Sequence, residues 1–201
     1  MRASATSVAA SDPMTEPAAG LSPTQIGDRL DAAVTVLSGS TDGEWVSDDY
    51  DLTAADCRKT LDELAPLDGQ IGKDSVPTGL ADDALADLTI RELVQHAHLN
   101  LTSAAHRVRR DGFADDRATQ ERVAWERNRA KAFLTAAVIA DSAHAHGQKL
   151  NRMGGGADGG GWTNRGEIAT STSRALGRTA TDGETSQWAL RVAACGVTVR
   201  S

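Results

Sequence analysis

Chemistry in this chain gathers around its five histidines. Four of them fall in two His-Ala-His triplets, His96 to His98 and His144 to His146. Imidazoles hold divalent metals or move protons near neutral pH. Both triplets sit in stretches of helical period, and helix positions i and i+2 point about 200° apart. A triplet on a regular helix therefore cannot chelate one ion, and each histidine has to be placed by its face. Along residues 90–108 the apolar stripe is Ile90, Leu93, Val94, Ala97, Leu101, Ala104 and Val108. His98 falls at its edge, and His96 and His106 fall on the polar side, His96 one turn beyond Glu92. Along residues 116–147 the stripe of Val123, Ala130, Leu134, Ala137 and Val138 returns to Asp141 and His144 and leaves His146 outside. Asp141, His144 and His98 are the expected core-facing trio, joined by His96 or His146 only where a helix end unwinds. A carboxylate facing a core needs a partner. Asp-x-x-His resembles the carboxylate–histidine spacing that binds metal inside bundles, and it equally suits a buried hydrogen-bonded pair. A divalent metal (zinc, nickel or iron) is the cofactor this set could hold; nothing in the sequence requires one.

The first triplet also carries a resemblance. "LTIRELVQHAH", Leu88 to His98, resembles the T-[VI]-R-[DE]-L-[VL]-x-H segment of the DinB-like superfamily, in particular its mycothiol-dependent isomerase branch. Thr89, Arg91, Glu92, Leu93 and His96 match. "SAHAHGQKL" is similar to the family's second segment through His146, Gly147 and Gln148. The resemblance implies a four-helix bundle in which three side chains, three His or two His and a Glu, hold a divalent metal that activates a low-molecular-weight thiol. It makes His96 the first ligand. Ser142 stands where the family has Glu or His, and the two segments lie closer together than is usual. Both departures imply a degenerate, metal-poor member rather than a full enzyme.

The elements that must position these side chains are well marked. Ser22-Pro23-Thr24-Gln25 is a capping box with proline at the first helical position, followed by a stripe ending at Gly39. Thr53 to Asp56 opens a second helix that carries Cys57, Leu61 and Leu64 on one face and ends at Pro66. Thr89 to Glu92 opens a third, which stops at Gly112. The fourth and longest runs from about Asp116 to Gly147 and turns apolar on nearly every side from Ala132 to Ala140, as a central buried element does. Four helices with short or moderate connections predict an all-α fold, an antiparallel four-helix bundle over residues 21–152. Residues 1–20, rich in Ala, Ser, Thr and Pro, predict a disordered tail. Residues 153–166 predict a Gly-rich linker. Residues 167–201 predict a C-terminal arm with one short helix near Glu167 to Leu176 and one strand, because Trp188, Leu190, Val192 and Ala194 alternate.

Other signals are bland. Gly154-x-Gly156-x-x-Gly159 follows a helix rather than a strand and so lacks the context of a dinucleotide fingerprint. With 40% hydrophobic residues but 3% aromatic, a core has to be built from Ala, Leu and Val, which suits close-packed helices. Two cysteines make no disulfide framework and fit a reduced, cytoplasmic setting. No apolar run is long enough to span a bilayer, and no signal peptide is recognisable. The net charge of −7 is uneven: residues 1–100 hold 6 Lys and Arg against 18 Asp and Glu (−12), and residues 101–201 hold 15 against 10 (+5). The basic half makes nucleic acid a conceivable partner. The first expectation is a non-catalytic helical interaction or assembly protein whose C-terminal arm engages a protein partner or another subunit.

Overall fold

The computed structural model describes residues 20–39, 54–71, 78–110, 113–154 and 161–200. The expected tail before Gly20, the Thr53 cap and residues 155–160 of the glycine run lie outside them. Helices dominate: α1 (Pro23–Ser38), α2 (Ala54–Leu64), α3 (Asp82–Asp87), α4 (Ile90–Val108), α5 (Arg117–Met153), α6 (Arg165–Leu176) and α7 (Asp182–Ala194). Two three-residue strands, β1 (Trp162–Asn164) and β2 (Thr198–Arg200), pair in parallel. The all-α expectation thus holds for the described residues save this small sheet. None of their helices is long and apolar enough to cross a membrane.

The helix starts follow the capping chemistry. The Ser22 hydroxyl accepts the Gln25 N–H while the Gln25 side chain accepts the Ser22 N–H. Thr89 and Glu92 do the same for α4, and Asp116 accepts two N–H groups at the head of α5. Each such cap contributes about 1 kcal/mol. Helix α1 touches α2 and α4, and α5 touches α4 and α2, closing a ring. Helices α1 and α4 run antiparallel, since Ser38 meets His98 while Asp31 meets Arg109, and so do α4 and α5, since His96 meets Phe133 while Ser103 meets Glu126. Leu30, Leu37, Leu64, Leu93, Leu101 and Leu134 fill the ring without exposure, each burial contributing about 1.5–3 kcal/mol.

Two charged residues of α5 are buried in this core. Glu126 accepts hydrogen bonds from Ser103 Oγ (2.9 Å), Arg107 Nε (3.1 Å) and Arg122 Nε (3.1 Å). Arg127 is fully buried and donates to Leu67 O and Asn128 Oδ1. These bonds satisfy groups that would otherwise cost several kcal/mol to desolvate.

Three boundaries differ from the sequence reading. Helix α5 does not stop at Gly147; it runs to Met153 and is capped at Gly154. Gly147 is there for space: a Cβ would stand 2.8 Å from Cys195 Cβ. The alternating Trp188 to Ala194 is not a strand but the body of α7, with Trp188 and Val192, one turn apart, buried and Leu190 exposed. The strand lies beyond it, at 198–200, and pairs with the chain's own residues 162–164. Residues 161–200 pack on α5 and α3 rather than hang free. Ile139 and Ala143 of α5 join Ile168, Trp188, Val192 and Val197 in a second core, and α7 also packs on α3. Arg191 donates to Leu85 O (2.9 Å) and Leu88 O (2.7 Å).

Candidate functional site

The five expected residues do not converge. His98 is buried, its Nε2 3.1 Å from Ser38 Oγ on α1, and burial lowers its pKa below the usual histidine range. His96 is exposed and stacks on Phe133, ring centroids 5.0 Å apart. His146 is half-buried against Trp188 at 5.9 Å. Phe133 and His146 lie thirteen positions apart on one helix, roughly 20 Å along its axis. The histidines that the resemblance makes ligands therefore stand at different levels of the molecule. Asp141 and His144, expected on the buried stripe, are both exposed. Among the described residues no group of three or more His, Cys, Asp or Glu side chains is placed to hold a metal.

What the second triplet does instead follows from its geometry. Because His144 and His146 point to opposite sides of α5, each serves a different cleft beside α7. His144 lines a cleft of about 520 Å³ together with Asp87, Gln148, Asn151, Arg191 and Cys195. Gln148 Nε2 donates to His144 Nε2 at 2.7 Å, and Arg152 donates to Gln148 Oε1 at 3.5 Å. His144 Nδ1 faces Cys195 Sγ at 3.7 Å. Asn151 Nδ2 donates to Cys195 O, which holds the residue just past the end of α7.

His146 borders a second cleft, of about 310 Å³, with Ser142, Ala145 and Lys149 of α5, Ser171, Arg174 and Ala175 of α6, and Trp188 of α7. Burial lowers the His146 pKa, as does the positive charge of Lys149. Glu167 acts in the opposite sense, and Arg174 adds to the lowering.

A third feature is the outer face of residues 161–200. Leu190 and Val199 line a groove of about 680 Å³ with Ala189, Thr185 and Ser186, and Arg165 and Arg200 border it. Leu190 is 51% exposed, Val199 36% and the neighbouring Trp162 51%, with the Arg200 guanidinium 4.7 Å over the Trp162 ring.

Sequence reasoning missed Cys195, Gln148, Trp188 and Arg174 as site-forming residues. His144 and Cys195 are separated by most of the C-terminal unit, and no periodicity links them. The fold alone brings them together. Comparison of the chain with protein-family models, with curated proteins and with solved structures gives no match.

Proposed function

We propose that the chain is a non-catalytic helical interaction protein. Its C-terminal unit docks an acidic, extended segment of a partner protein along the free edge of β2. The observation that carries this is the exposed Leu190–Val199–Trp162 surface beside a strand edge that no third strand covers among the described residues. Exposed large apolar side chains grouped with a polar rim mark binding surfaces. Thr198 N–H bonds to Gly161 O at 3.0 Å. Alternation along the strand then turns the Val199 N–H and C=O the other way, toward a position where an added strand would pair. Arg165 and Arg200 favour acidic side chains on that strand. The same arginines oppose symmetric edge pairing with a second copy, which would set Arg200 near its equivalent. The scaffold in this reading is an antiparallel four-helix bundle, supported by the closed ring of α1, α2, α5 and α4.

The test is a fluorescent peptide of alternating Val and Glu, followed by anisotropy with the full chain. Val199→Pro removes the outward N–H while leaving the Thr198 ladder bond. The loss of one hydrogen bond, about 0.5–1.5 kcal/mol, weakens binding roughly threefold to tenfold. Arg165→Glu weakens it as well. Equal binding by wild type and Val199→Pro overturns the reading. So does a wild-type dimer that Val199→Pro dissolves.

A further inference from the structure

We propose that the cleft between α5, α6 and α7 around His146 and Trp188 binds a small molecule through a phosphate-type oxyanion. The cleft shares no lining residue with the groove beside β2, so the two can be tested apart.

Its lining is rich in donors. Lys149 and Arg174 both border it, and neither has an ion-pair partner among the described residues. By contrast, Arg107, Arg109, Arg117, Arg122 and Lys131 lie against carboxylates of the chain itself. Ser142 and Ser171 add hydroxyls from α5 and α6. Trp188, 2% exposed, lines the same cleft, and its indole N–H, buried, has no acceptor among the described residues. The buried Nε2 of His146 is likewise without a partner. A buried polar atom left unpaired costs about 1–3 kcal/mol, and both atoms belong to residues that line the cleft.

The chemistry of that ligand follows from the donor set. Ammonium, guanidinium and indole N–H all donate and none accepts. Several donors spread over three helices suit a group with several acceptor oxygens and more than one negative charge. A phosphate fits this better than a carboxylate, whose two oxygens a single arginine fork can satisfy. Glu167 acts on His146 from the first turn of α6 with the opposite charge. Its carboxylate already accepts the Thr163 hydroxyl (3.0 Å) and the Asn164 N–H (3.3 Å). The volume of about 310 Å³ limits the ligand to a small molecule.

The experiment follows the indole N–H resonances of the ¹⁵N-labelled full chain during titration with inorganic phosphate. Trp188→Phe identifies the Trp188 signal by its loss. The expected result is a saturable shift of that signal in the millimolar range or below, with the Trp125 signal unmoved. Lys149→Gln and Arg174→Gln should each weaken the apparent affinity severalfold while leaving the other indole signals in place, which reports an intact fold. No saturable shift overturns the proposal. An equal shift with sodium chloride at the same ionic strength also overturns it, as does an equal affinity for acetate. A Trp188 signal already protected from solvent exchange and indifferent to phosphate would mean that a trapped water satisfies the indole, and would overturn it too.

Discussion

The two cysteines show how position sets reactivity. Cys57 lies in the main core of α2, where burial first, and then the negative charges of Asp56 and Asp141, push its thiol up to about 12 from the ordinary 9.0. Thiolate is the attacking species, so at a given pH it offers roughly a thousandfold less of it than an ordinary cysteine. Cys195 instead borders an open cleft, with the His144 imidazole 3.7 Å from its sulfur. Alkylation of the native chain by iodoacetamide near pH 8 should therefore consume one thiol, Cys195, and release the second only in denaturant. Peptide mapping after a short exposure reads this directly, and comparable labelling of Cys57 in the native chain would sink the argument. The same residue-level view explains why Asp141 and His144 could not be placed from sequence. The helical wheel assumed one buried face for all of α5. Beyond Ala140 the helix also packs on α7, and its second buried face, Ile139, Ala143 and Gly147, lies roughly 160–240° around from Val123. A wheel set by the first half of the helix has no information about that second neighbour.

At the scale of elements, Gly147 makes the sharpest case. In an exposed helix interior, Gly to Ala stabilises by about 1 kcal/mol. Here the added Cβ would stand 2.8 Å from Cys195 Cβ and 3.0 Å from its Sγ, closer than such atoms tolerate. Gly147→Ala should thus destabilise the chain by about 1–3 kcal/mol, the usual cost of overpacking. Adding Cys195→Gly should restore much of the loss. Urea unfolding of the two variants measures both effects, and a Gly147→Ala chain as stable as wild type would mean that α7 does not approach α5 as closely as described. What the sequence disclosed at this scale was local chemistry. Ser22/Gln25 and Thr89/Glu92 marked α1 and α4 because a capping box is complete within four residues. The same pattern was present and overlooked at Asn164/Glu167 and Thr181/Glu184, which head α6 and α7. At α7 the alternation of Trp188, Leu190, Val192 and Ala194 suggested period two. Trp188 and Val192 are also one helical turn apart, and the Thr181 box should have decided between the two readings. Clefts were less legible than helices. Lys149, Arg174 and Trp188 come from three elements whose mutual packing no local pattern encodes.

At the scale of the whole molecule, basic side chains of the second half tie it to the first half within the fold. Arg109 meets Asp31, Lys131 meets Asp68, Arg127 donates to Leu67 O and Arg129 to Thr78 O. Residues 161–200 extend this joining. Arg191 ties α7 to the carbonyls of Leu85 and Leu88, Gln187 donates to Asp82 at 2.8 Å, and Arg58 of α2 donates to Ala175 O of α6. Ile139 and Ala143 depend on Ile168, Trp188 and Val192 for their cover. A chain ending at Arg152 should keep the helices of the ring, since the main core contains nothing from α7. It should nevertheless lose stability, because Ile139 alone, on becoming exposed, forfeits about 1.5–3 kcal/mol. For a chain of this size, a loss of about 2 kcal/mol lowers Tm by roughly 4–8 °C. The newly bared face should also bind more of an apolar dye than the full chain does. Thermal unfolding followed by circular dichroism, with dye fluorescence on the same samples, reads both. Equal Tm values and equal dye binding would mean that residues 161–200 form an arm independent of the main core. The β2 edge and the His146 cleft would then have to be judged separately, because only the cleft draws half its walls from α5.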